Sequence, residues 1–171
     1  IYFASRSKTA PLLFTSYLWI LFIVLLFMGT GWIAWHFYPP LMYVVVPKGF
    51  GKDILLLALL NGFMQVHYNL LIGQKRIPAY NLIFTAQITL FLFLFLIEIL
   101  VKKQTGPEAY VFALYFSWGL GGLLGFYSVL KKMKYFSFHG WISVSKKILT
   151  YGLPTQSAVM LHIANKRLSF Y

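Results

Sequence analysis

Residues 53–101 read DILLLALLNGFMQVHYNLLIGQKRIPAYNLIFTAQITLFLFLFLIEILV, two apolar runs on either side of a short basic turn. The first run, Ile54 to Ile72, carries Asn61, Gln65, His67 and Asn69 as its polar side chains. The second, Leu82 to Ile97, has no charged residue. About 30 Å of hydrocarbon at about 1.5 Å per residue asks for roughly 20 mostly apolar residues, so each run is long enough to cross a bilayer. Between them, Gly73-Gln74-Lys75-Arg76-Ile77-Pro78-Ala79-Tyr80 predicts a turn. Two such helices make a transmembrane hairpin, and Lys75 and Arg76 assign its turn to the cytoplasmic side by the positive-inside bias. The fold class that follows is all-α, a polytopic transmembrane helix bundle.

Composition points the same way. The chain is 60% hydrophobic and 11% charged, with an aromatic share of 20% that suits interfacial anchoring. A net charge of +12 raises the question of nucleic acid. Nucleic-acid binders gather their basic residues on one solvated face, whereas here they fall in the gaps between apolar runs, so no nucleic-acid partner is expected. With no cysteine, a disulfide framework, a thiolate metal site and a cysteine nucleophile are excluded for these residues. No metal or other cofactor is expected. Opening on Ile1 and stopping within an apolar segment, the chain reads as a piece of a longer protein.

Ile1 to Lys8 forms a short polar lead. A first helix is expected from about Ala10 to His36, with Trp19, Trp32, Trp35 and Tyr38 at interfacial levels, ended by Pro39-Pro40. Leu41 to Val46 is too short to cross, and Pro47 to Lys52 is a turn before Asp53, a plausible N-cap for the second helix. Lys102 to Glu108 makes a second outer loop, with Glu98 reaching the interface beside Lys102. A fourth helix covers roughly Ala109 to Leu130. Its Ser117, Gly121 and Gly125, spaced by four, predict a face closely approached by other helices. Gly119-Leu120-Gly121-Gly122 lacks the strand, lysine and hydroxyl of a phosphate-binding loop. Lys131 to Lys147, with His139 and Trp141, is placed along the cytoplasmic membrane surface, where its cations could meet anionic headgroups. A fifth span is expected from Tyr151-Gly152-Leu153-Pro154 to Tyr171. Basic residues then divide nine inside (Arg6, Lys8, Lys75, Arg76, Lys131, Lys132, Lys134, Lys146, Lys147) against four outside (Lys48, Lys52, Lys102, Lys103).

Polar residues within spans carry the functional signal. Asn61, Gln65 and Asn69 recur at steps of four, so they share one helix face that Gly73 continues. Asn81, Thr85 and Thr89 repeat the device on the third helix. On the fifth, Thr155, Ala158, His162, Asn165, Lys166 and Ser169 fall within about 60° of His162 at 100° per residue, while Arg167 lies about 140° away. Such stripes either join helices by hydrogen bonds averaging about 0.6 kcal/mol, or line a polar cavity. Three stripes on one bundle favour the cavity, because an intramembrane cation costs at least about 2.5 kcal/mol. The candidate substrate-binding residues are therefore Asn61, Gln65, Asn69, Thr85, His162, Asn165, Lys166 and Arg167. On the wheel, Lys166 faces the substrate and Arg167 anchors or packs.

The wording Leu59-Leu60-Asn61-Gly62-Phe63-Met64-Gln65 through Gly73-Gln74-Lys75-Arg76-Ile77-Pro78-Ala79-Tyr80-Asn81 resembles the fourth and fifth helices of bacterial oligosaccharide flippases. These are the polysaccharide biosynthesis (Wzx-type) branch of the multidrug and oligosaccharidyl-lipid/polysaccharide exporter superfamily. Tyr151-Gly152-Leu153-Pro154, followed by Asn165 and Arg167, is similar to the opening of that family's seventh helix. Where family members often carry an acidic residue shortly after the arginine, this chain has Ser169.

The resemblance implies helices three to seven of a two-lobe transporter, about five spans. Residues 1–147 would belong to the N-terminal lobe and 148–171 to the first helix of the C-terminal lobe. It also implies residence in the bacterial inner membrane, contact with the lipid bilayer, and export of a polyprenyl pyrophosphate-linked oligosaccharide for surface polysaccharide such as O-antigen. It favours Arg167 over Lys166 as the substrate cation. No covalent chemistry is needed, so a transporter is expected and not an enzyme. Two alternatives remain open. A multidrug or cation exporter of the same superfamily would favour acidic cavity residues, and an integral membrane glycosyl- or acyltransferase would need an acid/base or nucleophile set.

Overall fold

The computed structural model describes residues 9–40, 46–47, 49–104, 106–133 and 140–150. Its four long helices are α1 (Thr9–Phe37), α2 (Gly51–Gly73), α3 (Ile77–Leu100) and α4 (Pro107–Leu130), and a short fifth, α5, covers 141–150. All four long helices are long and apolar enough to cross a membrane. At about 1.5 Å per residue even α2, the shortest at 23 residues, reaches about 35 Å. The chain is an all-α, multi-pass membrane protein with apolar faces for lipid. The expected fifth span at Tyr151–Tyr171 lies outside the described residues, as do Leu41–Val45. Helix α5 runs through 147–148, the position suggested above as a lobe boundary.

Helix α4 is the shared wall of the bundle. It packs along both α2 and α3, α1 packs on α2, and α2 and α3 touch each other only lightly. The reason is its small-residue face: Ser117, Gly121 and Gly125 are all buried, as their spacing predicts. A Cβ on Gly125 would stand 2.8 Å from the Cβ of His67 on α2. One on Gly121 would meet the Tyr68 hydroxyl at 2.7 Å and Gln87 Cγ of α3 at 3.3 Å, so at this level glycine lets α2 and α3 both close onto one backbone. Gly119 and Gly122 face open space.

The hairpin turn is tighter than the sequence suggests. Helix α2 continues through Gly73, and α3 begins at Ile77 with Pro78 in its first turn, where a missing amide hydrogen costs no bond. Only Gln74, Lys75 and Arg76 lie between. Lys75, not Gly73, takes the left-handed backbone at φ 59°, and the amides of Gln74, Lys75 and Arg76 bond back to Leu70, Ile72 and Leu71 carbonyls at 2.9 Å each. Asp53 is not the N-cap of α2. Helix α2 starts at Gly51, capped by Phe50 without a side-chain bond, and Asp53 sits within its first turn. There its carboxylate accepts a hydrogen bond from the Tyr115 hydroxyl of α4 at 2.7 Å.

Cross-helix bonds show which ends coincide. Gln74 Nε2 donates to Thr9 Oγ1 at 3.1 Å, and Arg76 donates to the Ser128 carbonyl at 2.5 Å. The start of α1, the α2–α3 turn and the end of α4 therefore share one end of the bundle. The start of α2, the end of α3 and the start of α4 share the other. Helix α1 buries only its first part, Ala10 to Leu13 and Thr15, and from Leu21 to Tyr38 most side chains are exposed. Thr15 Oγ1 donates to the Trp141 carbonyl of α5 at 3.4 Å, and Val144 and Ile148 of α5 pack on a core that includes Leu12, Leu13, Leu70, Leu71 and Val129.

Candidate functional site

The amide stripe of α2 is left open by the helix contacts. Gln65 and Asn69 are exposed and Asn61 is half-buried. None of the three makes a side-chain hydrogen bond to another described residue. The inward face of α2 is instead Leu57, Met64, His67, Tyr68 and Leu71, all buried. At 100° per residue, Gln65 stands about 100° from Met64 and Asn69 about 100° from Tyr68. One border of the stripe is Tyr68, whose hydroxyl donates to Gln87 Oε1 of α3 at 2.8 Å. The other is Gly62, against Ile20 of α1. The stripe thus opens between α1 and α3, with Asn61 and Gln65 about 15 and 21 Å along the helix from Gly51.

Thr85 on α3 is also exposed, as are Asn81 and Thr89. Their stripe lies on the far side of α3 from its buried face, since Thr85 is about 160° from Gln87 on the wheel. No hydrogen bond joins the α2 and α3 stripes, so the described helices do not gather them into one cavity. His162, Asn165, Lys166 and Arg167 lie outside the described residues.

A second set of polar groups is turned inward, and periodicity among polar residues alone does not find it. Beside the Tyr68–Gln87 bond, Tyr17 of α1 pairs its hydroxyl with His67 Nε2. The His67 ring, 3% exposed, also lies 5.7 Å from Phe126 of α4, so one side chain is held among three helices. These positions are legible as members of the Met64, His67/Tyr68, Leu71 row, whose i, i+3/i+4, i+7 spacing marks an inward face. Glu98 is a further correction. From the last turn of α3 it pairs with Lys102 at 2.5 Å, as its position suggests, but it is covered by protein, at 2% exposed. The longer Lys102 side chain, half exposed and 5.0 Å from the centre of the Phe112 ring, carries the charge outward.

No family model, curated protein or solved structure matches this chain. Neutral amides at mid-depth offer donors and acceptors together without a net charge, which suits a hydroxyl-rich ligand better than an ion. The acids stand elsewhere. All three of the chain, Asp53, Glu98 and Glu108, are at the end opposite the α2–α3 turn, and Asp53 and Glu98 are already engaged.

Proposed function

We propose that this chain is part of a transporter that carries a lipid-linked oligosaccharide across a membrane, with the amide stripe of α2 meeting the sugar hydroxyls as they pass. The observation that carries this reading is the open position of Asn61, Gln65 and Asn69. Hydrocarbon cannot satisfy amide groups, so a stripe left outside the helix contacts of a span calls for a polar partner. A sugar supplies one at every hydroxyl. The location of the three carboxylates favours a glycan over the cations that an exporter with an acidic cavity would take. In this reading transport requires no covalent step, and a cationic side chain at Lys166 would balance the pyrophosphate.

Leucine at Gln65 or Asn69 in the full-length protein tests it, with surface glycan measured at matched amounts of protein in the membrane. Export is expected to fall while the lipid-linked precursor accumulates. Unchanged export in both variants would remove the stripe from the transport path, and full export by Lys166→Gln would end the role given to that cation. A packing role for the stripe would instead lower the amount of folded protein.

A further inference from the structure

We infer that the end of the bundle formed by the α2–α3 turn, the end of α4 and α5 is a docking surface for anionic lipid headgroups. Lys75, Lys131, Lys132, Lys146 and Lys147 are all exposed there, and Arg76 is tied to the Ser128 carbonyl. No carboxylate of the chain stands at this end, because all three acidic residues are at the other. The five lysines therefore have no protein counter-charge among the described residues.

The shape of α5 names the occupant. Val144 and Ile148 pack it against the bundle core, and Trp141 is anchored through its carbonyl to Thr15. At 100° per residue, Ile142 and Leu149 fall within about 20° of each other on one flank, and Lys146 follows about 40° further round. Ile142 is 67% and Leu149 38% exposed. An apolar flank bordered by lysine, on a helix whose inner face is already occupied, matches the acyl-to-headgroup boundary of a leaflet. A nucleic acid or acidic peptide would leave Ile142 and Leu149 in water. This inference does not depend on what the protein transports.

The test uses the purified full-length protein in neutral detergent micelles doped with phosphatidylglycerol or, separately, phosphatidylcholine, with thermal stability read by size exclusion after heating. Phosphatidylglycerol is expected to raise the midpoint in a saturable way that phosphatidylcholine does not reproduce. Each surface lysine is worth roughly fivefold in affinity for an anionic surface. Replacing Lys131, Lys132, Lys146 and Lys147 with Gln should therefore raise the half-saturating mole fraction at least tenfold. Arginine at the same four positions should keep the wild-type response, which separates lost charge from lost folding, and Lys52→Gln at the opposite end should also keep it. Equal responses to the two lipids, or a wild-type response from the four-glutamine variant, would overturn the inference. So would co-purifying nucleic acid that the same four substitutions remove.

Discussion

Alanine at Gly125 should loosen the bundle, whereas alanine three residues earlier should not. The new methyl would stand 2.8 Å from His67 Cβ, an atom fixed to the α2 backbone that no rotamer change can move aside. Carbon atoms are comfortable at about 3.5–4.0 Å, so α2 and α4 must separate by at least about 0.7 Å along that line. Overpacking of this kind costs typically about 1–3 kcal/mol. Against it stands the helix preference of alanine over glycine, about 0.8–1.0 kcal/mol. Gly122→Ala receives only the second contribution, because nothing lies within 4 Å of the place its methyl would take. The two variants should thus differ by about 1–3 kcal/mol, with Gly122→Ala at or above wild type. Gly121→Ala should fall between them, since its contacts are the far end of Tyr68, the flexible Met64 and, at 3.3 Å, Cγ of the Gln87 side chain. Heating each full-length variant in detergent and reading the surviving monodisperse fraction gives the order. A Gly125→Ala protein as heat-resistant as Gly122→Ala would refute the close approach of α2 to α4.

Two further outcomes follow from the cross-helix bonds. Tyr68→Phe and Gln87→Leu, alone and together, form a double-mutant cycle across the 2.8 Å bond, with an expected coupling of about 0.6 kcal/mol and no more than about 1.7; zero coupling would place the two side chains apart. Cysteines at Lys132 and Gln104, both exposed and at opposite ends, should react with an impermeant reagent from opposite sides of the membrane, Gln104 from outside. Labelling of both in intact cells would contradict the nine-to-four division of basic residues.

The spans are legible because length and apolarity alone define them: the sequence predicts α1 at Ala10–His36 and it runs Thr9–Phe37, and it predicts α4 from Ala109 where the helix begins at Pro107. The small-residue face of α4 is legible too, because only close packing explains three such residues at steps of four in a lipid-facing composition. The ends are less so. Asp53 looks like a cap because its side chain can accept from an amide, but the sequence does not show that Tyr115, distant along the chain, competes for the same oxygen. The pairing of Glu98 with Lys102 is legible from their i, i+4 spacing, but its burial is not, because the side chains that cover it come from elsewhere in the chain.

The polar residues show where periodicity stops being informative. A wheel groups Asn61, Gln65 and Asn69 on one face and sets His67 apart, but it carries no direction for the neighbouring helices. That direction comes from α4, whose glycines draw in the Met64, His67 and Tyr68 face. Once that face is fixed inward, the stripe about 100° away must open sideways. The polar groups that hold the helices together, Tyr17 with His67 and Tyr68 with Gln87, are then different side chains from those of the open stripe. This separation lets the stripe be altered without dismantling the bundle, so under the proposed function a loss of export in Gln65→Leu at matched protein levels would report on the stripe and not on folding.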